Sequence, residues 1–226
     1  MVAWTKEQDT RIQNVKDAKR FGKEDNQLDG VLHGAKSVAM LLDIMKEQGL
    51  VARPEHYHSA IQAYANCLRE DVLSFDDDNK LKEVLPRVRK LLKDLEIDYL
   101  DKMVNRQCDG LSVTTREKVD ASIYRTVLDC FSQNLKLGGH KNDSMEAAKI
   151  LERMLDLYER DLLWIQKGQK PLTVSLNRVF KMIYRSKPTR QDVVMASELL
   201  ERLSSLPMKG REDSKSYIPR PDATSY

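Results

Sequence analysis

Apolar positions recur along this chain at helical spacing, and one spacing occurs four times. At 147–154, A-A-K-I-L-E-R-M, the small residue Ala147 is followed three and four places on by Ile150 and Leu151, and seven places on by Met154. The segment 196–203 repeats this most closely (Ala196, Leu199, Leu200, Leu203). The segments 38–45 (Val38, Leu41, Leu42, Met45) and 88–95 (Val88, Leu91, Leu92, Leu95) share its skeleton. One such stripe predicts an amphipathic helix with a single buried face. Four copies, about 50 residues apart, predict a repeat architecture.

A second spacing alternates with the first. Tyr57/Ala60/Ile61/Tyr64, Tyr124/Val127/Leu128/Phe131 and Leu176/Val179/Phe180/Ile183 each place a large apolar residue first, then others at +3, +4 and +7. Each copy lies between two copies of the first pattern, so the chain reads as helix pairs, A then B. An isolated pair cannot bury its stripe, whereas stacked pairs share a continuous core. The alternative is an irregular helical bundle with coincidental periodicity.

The predicted helices are 27–48, stopped by Gly49, and one opened by Pro54. Next come 82–103 (Pro86 being tolerable only near its start), 117–133, 144–165 capped by Ser144, 174–185 and 191–206. The stretches 70–80, with Asp76, Asp77 and Asp78, and 137–143, with Gly138 and Gly139, read as inserted loops, and 106–115 as a polar connector. The expected organisation is a charged, partly helical segment over 1–27, with a helix around 5–20, and a repeat domain of about three helix pairs over 28–206. A tail follows over 207–226. The predicted fold class is all-α, an α-solenoid of antiparallel helix pairs.

Composition sharpens this picture only slightly. The 226 residues are 41% apolar and 32% charged, and few runs alternate as strands do. With 38 basic and 35 acidic residues the net charge of +3 permits nucleic-acid binding without requiring it. Cys67, Cys108 and Cys130 are odd in number and lack CxxC spacing, so they read as reduced thiols of a non-secreted protein. No apolar run approaches the roughly 20 residues of a membrane span, and the first residues lack the apolar core of a secretory signal. No membrane insertion is expected, and no targeting peptide is visible.

Other chemistry is thin. His56 and His58 fall about 200° apart on a helix, a poor metal pair. The run at 76–79 lacks the Gly and distal Glu of a calcium loop. No G-x-S-x-G, P-loop or H-E-x-x-H motif occurs. The chain is therefore expected to be no enzyme, with no cofactor, metal or small-molecule substrate.

The two templates, Y-x-x-[LV]-I-x-x-Y and A-x-x-L-[LF]-x-x-M, are joined by a Gly-then-Pro turn and resemble pentatricopeptide repeats. M-K-E-Q-G at 45–49 is similar to that family's second-helix end, and K-P-L-T-V-S-L-N at 170–177 to the start of its first helix. R-P-D-A-T-S-Y at 220–226 repeats 170–176 in register, so the sequence reads as stopping at the threshold of another repeat. The resemblance is to a divergent member with extended helices and inserted loops. Tetratricopeptide repeats are the nearest rival, but their Trp–Leu-Gly–Tyr signature is absent from the first helices.

The resemblance implies an RNA-binding protein of organelles, mitochondrion or chloroplast, in RNA processing, stability or translation. Its partner would be single-stranded RNA, each base read by two or three side chains. The reading residues would be those just after the first-helix aromatic, His58, Arg125 and Asn177, with Leu172 as the residue after the inter-repeat Pro. Apart from the resemblance, Arg178, Lys181 and Arg185 fall at +0, +3 and +7 on one helix, off its apolar stripe, and could track phosphates. The basic cluster Arg87, Arg89, Lys90 and Lys93 reads instead as solvated or as a protein contact. The alternative function is a protein-interaction scaffold of the same fold, a subunit of a large organellar assembly such as a ribosome.

Overall fold

Helix formation follows the two spacings closely. The structure, a computed structural model, describes residues 27–69, 78–115, 117–138, 142–165 and 171–205. The expected helix around 5–20, most of the 70–80 loop and the tail over 207–226 lie outside the described residues. Within them the protein is all-α apart from one short strand pair. Its helices are α1 (Gln27–Glu47), α2 (Pro54–Cys67), α3 (Asp78–Leu95), α4 (Asp101–Cys108), α5 (Ala121–Lys136), α6 (Asn142–Glu159), α7 (Pro171–Arg185) and α8 (Arg190–Ser205). The chain divides into two compact units, Met1–Val113 and Thr114–Tyr226. That boundary falls inside the 28–206 span.

In the first unit α2 packs against both α1 and α3. The whole stripe Tyr57, Ala60, Ile61 and Tyr64 is buried, and so are Val88, Leu91, Leu92 and Leu95 of α3 and Val38 and Leu42 of α1. Gly49 ends α1 with φ of 71°. The Leu50 N–H donates to the Met45 carbonyl and the Gly49 N–H to that of Lys46, a left-handed stop that favours glycine. Pro54 opens α2 at a position needing no N–H donor. His56 caps the same helix, its Nδ1 accepting from the Arg53 N–H at 3.2 Å.

The expected helix over 82–103 begins earlier, at Asp78, so Pro86 lies more than two turns inside it. Pro86 and Lys82 are both exposed, where water can meet the carbonyl that loses its donor. The helix then passes through a π-helical turn, Glu96–Leu100, into α4. The wider turn sets Leu100 five places after Leu95, and both remain buried. It also brings Asp98 to the Tyr57 hydroxyl, which donates to its carboxylate at 2.6 Å, and to Lys46 Nζ at 2.8 Å. Burial opposes ionisation of Asp98, but the Lys46 and Tyr57 hydrogen bonds outweigh it and hold the carboxyl below its ordinary value.

In the second unit α5 packs against α6 and α7, α6 against α7 and α8, and α7 against α8. Tyr124, Val127, Leu128 and Phe131 are buried on α5, and Ala147, Ile150, Leu151 and Met154 on α6. On α7 Leu176, Val179 and Ile183 are buried together with Met182, while Phe180 is half-buried. On α8 only Leu199 and Leu203 of the template are buried. Arg202 joins α8 to α6, donating to Glu159 at 2.9 and 3.0 Å and pairing with Asp156.

The helix expected over 144–165 stops at Glu159. Asp161 takes the left-handed position, φ 60°, and Leu162 N–H closes on the Leu157 carbonyl at 2.8 Å. The chain beyond forms β2 (Leu163–Trp164), paired in parallel with β1 (Val119–Asp120). Asp120 then caps α5 by accepting from the Ser122 N–H at 2.7 Å, which moves that helix start from 117 to Ala121. Ser144 is not the cap of α6. It is buried within the first turn, where its hydroxyl donates to that of Ser186 at 3.2 Å.

Cys67, Cys108 and Cys130 are not in disulfides, the first and last being buried and Cys108 exposed. Burial pushes the Cys67 thiol up to about 12, and the thiolate is the reactive form. A maleimide is therefore expected to label Cys108 within the native protein and the other two only after denaturation, by mass spectrometry. Labelling of all three at one rate would contradict this packing.

Candidate nucleic-acid interface

The packing of α5 on α7 leaves a groove of about 390 Å³ within the second unit. That is near the low end of the roughly 300–1,000 Å³ of ligand sites. Lys136 and Ser132 of α5 line it, with Val174, Asn177, Arg178, Lys181 and Arg185 of α7. Four of the seven residues singled out from the sequence therefore meet in one place. On α7 the cations Arg178, Lys181 and Arg185 span about 10 Å of helix, opposite the buried face formed by Leu172, Leu176, Val179 and Ile183. Their separation from the apolar stripe leaves Lys181 and Arg185 exposed and Arg178 half-buried. Lysine and arginine stems can rest on the groove wall while their charged ends stay in water.

Arg178 reaches across to α5, where its guanidinium is ion-paired with Asp129. Burial pushes the Asp129 carboxyl up from its ordinary value, and the positive charges of Arg178 and Arg125 pull against that rise. Arg125, Asp129, Ser132 and Lys136 lie at +0, +4, +7 and +11 and so share one face of α5. This face and the α7 row together present several cations and one carboxylate. A concave surface so charged attracts polyanions over a longer range than scattered surface cations do.

The other sequence-derived residues fall differently. Leu172 is 1% exposed and belongs to the core stripe of α7. Asn177 lines the groove but is itself buried, at 9% exposed. Arg125 is half-buried beside Asp129, and His58 is half-buried on α2 in the first unit. Of the basic cluster on α3, Arg87, Lys90 and Lys93 are exposed and Arg89 is half-buried.

Sequence reasoning missed Lys136, Ser132 and Asp129. The +4/+7 periodicity of α5 carries them as one polar face. What it lacks is any sign that this face adjoins the basic row of α7, because that depends on how two helices 35 or more residues apart pack. Near the α7–α8 turn three apolar side chains are also exposed, Tyr184 at 81% together with Val193 and Val194.

Among the described residues no group of three or more His, Cys, Asp or Glu side chains is arranged to hold a metal ion. No helix among them is long and apolar enough to cross a membrane. The chain matches no protein-family model, no curated protein and no solved structure.

Proposed function

We propose that this protein binds single-stranded RNA, holding its phosphates along the groove between α5 and α7. The observation that carries this reading is the convergence of Lys136, Arg178, Lys181 and Arg185 on one concave surface. Cationic grooves of this kind hold a flexible polyanion by releasing its counterions. The contacts of the second unit support a pentatricopeptide-type α-solenoid. The A helices α5 and α7 touch each other, and the B helix α6 touches both members of the following pair, α7 and α8. Such a protein would act in organellar RNA processing, stability or translation. With Leu172 buried, the groove recognises chiefly the backbone, and Asn177 and Arg125 are the second unit's remaining candidates for touching a base.

Binding of a labelled oligouridylate at several salt concentrations tests this. Each cation that engages a phosphate contributes about −0.7 to the slope of log K against log salt for a single strand. Lys181→Ala/Arg185→Ala is expected to flatten that slope by about 1.4 and to weaken binding most at low salt. Absence of binding at low salt would overturn the reading.

A second reading, a protein-interaction scaffold within a large organellar assembly, is favoured by the exposed Tyr184, Val193 and Val194. Large apolar side chains left exposed are available for contacts with other proteins. Under that reading Lys181→Ala/Arg185→Ala leaves the co-purifying partner in place, and Tyr184→Ser/Val193→Ser removes it.

A further inference from the structure

Helices α6 and α8 carry the same stripe, Ala147 matching Ala196 and Leu151 matching Leu200, yet one face of each is treated differently. Ser144, Ala148, Leu151 and Leu155 of α6 are all buried, and α7 and α8 both pack on that helix. The matching positions of α8 are Val193, Ser197, Leu200 and Ser204. Val193 is 54% exposed, Ser197 and Ser204 are exposed, and Leu200 is half-buried. The opposite side of α8 fixes it to its own unit, through the buried Leu199 and Leu203 and through Arg202 on Glu159.

The open face has an order of its own. Arg190, Val194, Ser197 and Glu201 fall at +0, +4, +7 and +11, along the same side as Val193 and Leu200. Val194 is 49% exposed. Arg190 and Glu201 are exposed too, and neither is ion-paired with another of the described residues. A cation thus stands near the start of the face, a carboxylate near its end, and apolar side chains between them around the small Ser197. A second α8 running the opposite way complements that order. With the two helices crossing at Ser197, Val193 and Val194 meet Leu200 of the second copy. Arg190 then lies about 4.5 Å along the axis from Glu201 of the second copy, within reach of its long side chain. A parallel arrangement would set Arg190 against Arg190.

We propose that α8 is a self-association surface, on which two copies of this chain pack antiparallel about a two-fold axis near Ser197. In such a contact each pairing occurs twice, and the small residue at the crossing lets the helices approach closely. One face of a 16-residue helix, about 24 Å long, covers less than the roughly 800 Å² per partner of a standard stable complex. The dimer is accordingly weak, with a Kd on the order of micromolar. The contact uses α8 alone and does not depend on what the groove between α5 and α7 binds.

Sedimentation velocity of the full chain without RNA, from about 1 to 300 µM, tests this. The native chain should pass from monomer to dimer as concentration rises, and less readily as salt is added. Arg190→Glu or Glu201→Arg alone turns both symmetry-related attractions into repulsions and should raise the Kd by about tenfold or more. Arg190→Glu/Glu201→Arg restores opposite charges and should return it close to the native value. An equimolar mixture of the two single variants should form a mixed dimer at concentrations where each alone is monomeric. Val194→Asp, which places a charge within the contact, serves if thermal unfolding shows that a charge reversal does not fold, and it should abolish the dimer. A chain that stays monomeric throughout overturns the proposal, as do folded reversals that dimerise like the native chain or fail to pair when mixed. A dimer that survives Val194→Asp overturns it as well, and masses that grow past the dimer would replace the two-fold contact with an open-ended one.

Discussion

Phe131→Ala is expected to destabilise the second unit by about 3–5 kcal/mol, the range for truncating a buried aromatic ring. Phe131 is fully buried, at the +7 position of the α5 stripe begun by Tyr124. α5 is the helix that packs on both α6 and α7, so a cavity beneath it is bounded by elements held in place by their own buried stripes. Incomplete collapse of such a cavity is what makes the cost exceed simple transfer. The same helix carries Ser132 and Lys136 into the groove, and so the variant should also lose RNA affinity. Urea unfolding followed by circular dichroism measures the first effect as a lowered midpoint with the slope unchanged. A loss under about 1 kcal/mol would mean that the alternating stripe does not form the core.

Tyr57 carries the second large effect, and its two parts separate. Tyr57→Ala should cost about 3–5 kcal/mol, because the ring is fully buried on α2. Tyr57→Phe keeps the ring and removes only the hydroxyl that donates to Asp98 at 2.6 Å. The expected cost is about 1 kcal/mol, since Lys46 remains on Asp98 at 2.8 Å. Lys46 Nζ also lies 5.2 Å from the Tyr57 ring centre and 3.3 Å from Asp94, so it links α1, α2 and the helical run around the π-helical turn.

This cluster gives a pH dependence of definite sign. The folded carboxyl of Asp98 lies below its ordinary value, so the folded protein binds its proton less readily than the unfolded chain does. The stability it contributes is present above the unfolded value of about 4. It is lost as pH falls through the lower folded value. Asp98→Asn should therefore lessen stability at neutral pH and flatten the acid limb of a stability–pH curve measured by urea unfolding. An unaltered acid limb would show that Asp98 is not the group responsible.

Much of this fold is legible in the sequence because burial has a period. Tyr57, Tyr64, Tyr124 and Phe131 stand where the A spacing puts them, and all are buried. Helix ends are less legible. Gly49 announces the end of α1, but α6 ends through Asp161 in a left-handed conformation, and an aspartate at that place carries little warning. The π-helical turn is hidden for a related reason. A five-residue gap between Leu95 and Leu100 looks like a lapse in periodicity, whereas the wider turn keeps both on the buried side.

The groove divides in the same way. Arg178, Lys181 and Arg185 are readable as a row, because their +0, +3 and +7 spacing on one helix fixes their relation. Lys136 and Asp129 enter only when α5 is set beside α7, a contact that neither helix encodes alone. Leu172 shows how a resemblance can conceal a simpler signal. Leu172, Leu176, Val179 and Ile183 fall at +0, +4, +7 and +11, and that spacing alone assigns Leu172 to the core.

Mapping of ultraviolet cross-links from a 4-thiouridine RNA onto the full chain, by mass spectrometry, tests the central proposal most directly. Cross-links are expected on the peptides containing Ser132 and Lys136 of α5 and Asn177 to Arg185 of α7, and excess unlabelled RNA should abolish them. Cross-links confined to the Arg87–Lys93 region of α3, or none above those of an unrelated protein, would contradict binding of RNA in this groove.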